Sequence, residues 1–114
     1  MDKAAAKRAY KEAKRPMGVY RILNTANGKS YVGFSTNVQA RINRHKAELG
    51  FGSERTEELQ AEWGVLGEAA FQFEMLDELE HDADSAANPV DELRLLADMW
   101  IAKLEQAGEP GVRL

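Results

Sequence analysis

The sequence predicts an α+β fold in which a three-stranded sheet, an N-terminal β-hairpin plus a later third strand, is flanked by helices. Three observations point there. Two β-rich runs, Gly18-Val19-Tyr20-Arg21-Ile22-Leu23 and Ser30-Tyr31-Val32-Gly33, flank an Asn27-Gly28 pair, the dipeptide most strongly tied to a hairpin turn. Phe71, Phe73, Met75 and Asp77 alternate with Gln72, Glu74, Leu76 and Glu78, the two-residue period of a half-buried strand. Later segments carry apolar side chains at three- and four-residue steps, the period of an amphipathic helix.

Taken in order, residues 2–15 are strong helix formers closed by Pro16, and their few large apolar residues predict a weakly docked basic helix. After the hairpin, Ser35, Thr36 and Asn37 are N-cap candidates, and Thr36 with Gln39 has capping-box spacing. A helix is expected over residues 37–49, with Val38, Ile42, His45 and Leu49 on its inner stripe and Gly50 and Gly52 ending it. Ser53 caps a second helix through Leu66, with Leu59, Trp63 and Leu66 on one face. The third strand follows. Residues 81–87, small and acidic, read as a loop; Asn88 then caps a last helix with Pro89 at its first position and Asp91 in its first turn. This helix should reach Gln106 and bury Leu93, Leu96, Trp100, Ile101 and Leu104. Gly108-Glu109-Pro110-Gly111 turns into a short tail. The expected organisation is a basic helix over 1–16, one domain over 17–107 and a tail over 108–114.

The 114-residue length supports one core. No apolar run approaches the ~20 residues of a membrane span, and the absence of cysteine excludes disulfides and thiolate metal sites. A cytoplasmic location is the default expectation. The net charge of −4 conceals a division: residues 1–57 hold 12 Lys and Arg against 5 Asp and Glu, whereas residues 58–114 hold 3 against 14. Phosphate contact is therefore expected only through the basic half. The acidic half could instead meet a protein partner.

The triplets Gly18-Val19-Tyr20 and Tyr31-Val32-Gly33, followed by Arg41 and His45 four residues apart on one helical face, resemble the GIY-YIG nuclease domain, with Val in place of Ile in both triplets. The likeness covers about residues 17–104 and includes the order of elements. It implies hydrolysis of DNA phosphodiesters with Mg²⁺ or Mn²⁺, and catalytic roles for Tyr20, Tyr31, Arg41 and His45. By that resemblance Tyr20 would be the general base or orient the water, and Tyr31 would support the attacking group or the phosphate. A phenol titrates near 10 and needs cationic help to act as a base. Arg41 is the natural clamp, because a guanidinium grips phosphate oxygens in a fork, and His45 could move a proton or bind phosphate. Gly33 would allow close approach of the substrate, with Arg44 and Lys46 as further substrate-binding residues.

The resemblance has two gaps. The family's metal-binding glutamate lies three residues before an aromatic that matches Trp100, and that position is Ala97. A methyl group cannot ligate a hard cation. Asp98 is rotated about 100° around the helix from it; Glu92 and Glu74 are the other carboxylates within consideration. Arg94 shares the face of Ala97. Near the end, Arg113 in Gly111-Val112-Arg113 stands where many relatives carry asparagine. The leading expectation is an endonuclease-like protein with an impaired metal site; the alternative is a catalytically degenerate domain that binds nucleic acid or protein. No zinc-finger or helix-turn-helix signature is present to read a target sequence.

Overall fold

The computed structural model describes residues 16–80 and 88–114. The expected N-terminal basic helix and the loop over 81–87 lie outside the described residues. Strands β1 (Met17–Asn24) and β2 (Lys29–Ser35) form the hairpin, with Tyr20 opposite Gly33 and Ile22 opposite Tyr31. The turn over residues 25–28 places Gly28 at a φ of 76°, a left-handed conformation that glycine adopts without penalty. Its N–H donates to the Asn24 carbonyl at 2.8 Å, and the Asn27 side chain accepts from Lys29 N–H at 2.9 Å.

Helix α1 (Val38–Phe51) buries Val38, Ile42, His45 and Leu49, the four residues of the expected stripe. Asn37 caps it by accepting from Ala40 N–H, so the Thr36 capping box is not used. Helix α2 (Glu57–Leu66) begins three residues later than expected. Ser53 does not cap it; Glu54, the residue expected to open the helix, turns inward and is buried. Leu59 is buried and Trp63 packs beside Phe71 and Phe73, but Leu66 is exposed. After a 3₁₀ turn (Glu68–Ala70) comes β3 (Phe71–Leu79), then α3 (Pro89–Gln106), capped by the Asn88 side chain with Pro89 at its start. Leu93 and Leu104 are buried, while Leu96, Trp100 and Ile101 are half-buried.

The sheet has four strands rather than three. The residues of the expected tail form β4 (Gly111–Arg113), which pairs in parallel with β2, giving the order β3-β1-β2-β4. Pro110 carbonyl accepts from Ser30 N–H at 2.9 Å, and Leu114 N–H donates to the Val32 carbonyl at 2.8 Å. This addition satisfies the open edge of β2, which would otherwise present unpaired backbone groups.

β3 also departs from simple alternation. Its pairing with β1 shifts between Val19 and Tyr20, so Val19 faces Asp77 while Tyr20 faces Met75. Leu76 is the extra residue of this bulge. The bulge places Asp77 on the same face as Leu76, the α3 side, where Leu76 packs beside Val19, Val32 and Ala97; Met75 keeps its place opposite Tyr20 but is 39% exposed. Asp77 accepts a hydrogen bond from Trp100 Nε1 at 3.1 Å. The sheet thus separates two apolar layers. Ile22, Tyr31, Leu49, Leu59 and Phe71 pack on the α1–α2 side, and Val19, Val32, Ala97 and Leu104 on the α3 side.

Candidate active site

Tyr20 sits in the middle of β1, and the inner stripe of α1 carries His45 over it. The Tyr20 hydroxyl lies 2.8 Å from His45 Nε2, with ring centroids 5.7 Å apart. The second ring nitrogen, Nδ1, lies 2.8 Å from Glu54 Oε2. All three side chains are buried, at 1%, 3% and 7% exposure for Tyr20, His45 and Glu54. Buried polar groups are tolerable only when hydrogen-bonded, and these three side chains meet that need: the imidazole bonds the carboxylate through one nitrogen and the phenol through the other. Sequence reasoning identified Tyr20 and His45 and missed Glu54.

Glu54 is itself held in place. Its backbone N–H donates to Gln60 Oε1 at 3.1 Å, Gln60 Nε2 donates to the Leu49 carbonyl at 3.1 Å, and Thr56 N–H points at Glu54 Oε1 at 3.5 Å. The first turn of α2 and the end of α1 therefore fix the carboxylate's approach to the ring.

Arg41, one turn before His45, is half-buried and interacts with the Tyr20 hydroxyl. Burial pushes the Tyr20 phenol above its ordinary range; the Arg41 guanidinium pulls in the opposite direction, and the Glu54 charge adds a smaller upward push. Gly33, opposite Tyr20 on β2, leaves the space that the phenol occupies.

Tyr31 is directed elsewhere. Its ring packs with Ile22, Leu49, Leu59 and Phe71, and its hydroxyl donates to Glu62 on α2. Lys29 lies 5.0 Å from the centre of the same ring and pairs with Glu58. Desolvation, followed by the hydrogen bond to Glu62 and the charges of Glu62 and Glu58, raises the Tyr31 pKa strongly. Arg44 is exposed and bonded to Glu48 at 2.8 Å; the Arg44 guanidinium holds the Glu48 carboxyl below its usual range. Lys46 is exposed, with its ammonium 4.9 Å from the centre of the Phe73 ring.

The residues considered for a divalent cation fit that task poorly. Ala97 is fully buried among Val19, Val32 and Leu104 and offers no oxygen donor. Asp98 pairs with Arg113, whose guanidinium also lies 4.9 Å from the centre of the Phe34 ring. Glu74 is paired with Arg21 at 2.8 Å, and Glu92 lies in the first turn of α3. Among the described residues, His45, Glu48 and Glu54 bring potential ligand atoms within 4.8 Å of one another. Both ring nitrogens of His45 are engaged by hydrogen bonds to Tyr20 and Glu54, so a cation at this cluster would have to displace one of them.

The chain matches the family model described as the GIY-YIG catalytic domain over residues 16–86. Two solved structures are similar to it. A mutant of the catalytic domain of intron endonuclease I-TevI shares 27% identity, with 83% of this chain and 90% of that chain covered and a TM-score of 0.66. The catalytic domain of homing endonuclease I-TevI shares 26% identity, with 86% and 97% covered and a TM-score of 0.67. No curated protein matches the chain.

Proposed function

The chain belongs to the GIY-YIG family, and on that basis we propose that it is an endonuclease-type domain directed at DNA phosphodiesters, with hydrolysis weakened by the loss of a carboxylate at Ala97. The observation that carries this reading is the 2.8 Å contact between the Tyr20 hydroxyl and His45 Nε2, beside the Arg41 guanidinium. A base, a proton acceptor behind it and a cation beside it are what water attack on a phosphodiester requires.

In this scheme Tyr20 takes a proton from the attacking water as its own phenolic proton passes to His45 Nε2. The water oxygen bonds to phosphorus, the bond from phosphorus to the leaving sugar oxygen breaks, and that oxygen takes a proton from solvent. Arg41 neutralises the charge that grows on the non-bridging oxygens. His45 carries the transferred proton against the Glu54 carboxylate and returns it to solvent afterwards. Gly33 leaves the room in which the Tyr20 phenol lies, and Tyr31 supports the site from behind by holding β2 against α2. Arg44 and Lys46, exposed on the same helix as Arg41, contact flanking phosphates from the basic half of the chain. Mg²⁺ or Mn²⁺ would supply further charge neutralisation in such chemistry, but Ala97 provides no donor for it.

The burial of Ala97 favours a second reading, a domain that keeps the fold and its phosphate contacts but no longer cuts. One assay separates the two: supercoiled plasmid and branched or single-stranded oligonucleotides, incubated with Mg²⁺, Mn²⁺ or EDTA, for the wild type and Tyr20→Phe. Cleavage lost in Tyr20→Phe supports the nuclease. Salt-sensitive binding without cleavage supports the binding domain. Absence of both would overturn the DNA reading.

A further inference from the structure

We propose that Glu54 is the positioning residue of this site: its carboxylate fixes the Nδ1–H tautomer of His45, so that Nε2 presents a lone pair to the Tyr20 hydroxyl. The proposal rests on the nuclease reading for its kinetic consequence, and on geometry alone for the tautomer.

Donor and acceptor matching leads to the assignment. Heavy-atom positions do not locate an imidazole proton; the groups facing each nitrogen do. A carboxylate is an acceptor only, so Nδ1, 2.8 Å from Glu54 Oε2, carries the hydrogen. The neutral ring then has its lone pair on Nε2, and the Tyr20 O–H, 2.8 Å away, is the donor. The order of roles, carboxylate to imidazole to hydroxyl, is that of a catalytic triad, with a phenol in place of the usual alcohol. Burial gives the arrangement its importance. A phenol displaced from water resists ionisation, and Tyr20 is raised for this reason first. It can act as a base only if its proton has a defined acceptor. A ring with the hydrogen on Nε2 would donate to the phenol instead and could not take that proton.

The surroundings predict what a conservative substitution does. Thr56 N–H points at Glu54 Oε1, so in Glu54→Gln the amide oxygen keeps that place and the NH₂ group replaces Oε2. A donor then faces Nδ1, and the ring answers by moving its hydrogen to Nε2. The substitution preserves shape and reverses the tautomer.

The test is nitrogen-15 NMR of the His45 ring in the full chain, at a pH where the ring is neutral, for wild type, Glu54→Gln and Glu54→Ala, with plasmid cleavage and DNA affinity measured in parallel. The expected result is an Nδ1–H tautomer in wild type, its reversal in Glu54→Gln, and its loss to a mixture in Glu54→Ala. Cleavage kcat should fall at least about 10-fold in both variants with KM unchanged, as when the orienting carboxylate of a triad is removed. A wild-type Nε2–H tautomer, an unchanged tautomer in both variants, or wild-type kcat in Glu54→Gln would each overturn the proposal. If Glu54→Ala does not fold, Glu54→Gln alone decides. If the wild type cuts nothing, the nuclease reading fails separately, and the ring signals still decide the role of Glu54.

Discussion

Gly33 lies directly against the Tyr20 phenol: a methyl group built on its α-carbon would stand 2.6 Å from both Cζ and the hydroxyl oxygen. The glycine of the second triplet is thus the space in which the tyrosine of the first triplet rests. In Gly33→Ala the ring must move, because contacts below 3 Å are not tolerated by carbon and oxygen atoms, and the hydroxyl then leaves His45 Nε2. The expected outcome is a folded protein destabilised by about 1–3 kcal/mol, with a loss of cleavage as large as that of Tyr20→Phe. Thermal unfolding and the plasmid assay check it; retained cleavage would mean that the Tyr20 position is not what activity depends on.

The basic residues of α1 fall into two classes by burial. Arg41 interacts with Tyr20 inside the site, whereas Arg44 and Lys46 are exposed. Arg44→Ala and Lys46→Ala should each weaken DNA binding modestly and reduce the slope of log affinity against log salt by about 1. Arg41→Ala should do the same and also lower kcat, because the removed cation faces the reacting group. A salt titration of DNA affinity beside single-turnover cleavage separates the two effects. If Arg41→Ala changes neither, the site assignment is wrong.

Both hairpin tyrosines predict the response to alkali. The pKa values of Tyr20 and Tyr31 are raised in the folded protein, by burial first in each case. A raised folded value means that the native state holds the proton more tightly than the unfolded chain. The stabilisation is therefore fully present below about pH 10, the unfolded tyrosine value, and is lost as pH rises from there through the folded values. Denaturant unfolding from pH 8 to 12 should show a steep fall in stability above pH 10. Tyr31→Phe should reduce that steepness and, because it leaves the Glu62 carboxylate without its donor, lower stability at pH 8 by about 1–3 kcal/mol.

The pattern of what the sequence revealed follows from the range of the interactions. The stripe Val38, Ile42, His45 and Leu49 was legible because helical periodicity is local, and the Asn88-Pro89 start of α3 because capping involves adjacent residues. β4 was not, since three residues cannot display alternation and their pairing with β2 joins segments some eighty residues apart. The bulge at Leu76 was hidden for a related reason: an inserted residue reverses the faces of a strand without altering its composition. Glu54 follows Ser53 as a good helix opener would, and only the packing of α1 on β1 creates the buried imidazole that draws it inward. The same limit applies to Tyr31, whose partner Glu62 is thirty-one residues away on α2.

Ala97 gives the sharpest test of whether a carboxylate at this position brings a cation to the domain. Its methyl group is fully buried among Val19, Val32 and Leu104, so Ala97→Glu would place a carboxylate in an apolar layer. Without a cation the cost should be about 3–5 kcal/mol, as for an uncompensated buried charge, equivalent to a fall in Tm of roughly 10–30 °C for a domain of this size. Burial raises the new carboxyl's pKa, so the penalty is smallest below about pH 4, where the unfolded group is also protonated, and grows as pH rises to the folded value. Mg²⁺ that binds this carboxylate stabilises the folded state by mass action. Melting curves with Mg²⁺ or EDTA should therefore show a cation-dependent rise in Tm for Ala97→Glu and none for the wild type, with Mg²⁺-dependent nicking gained or increased in the variant. An equal rise in the wild type would show that the cation already binds elsewhere, and the first place to seek it would be His45, Glu48 and Glu54.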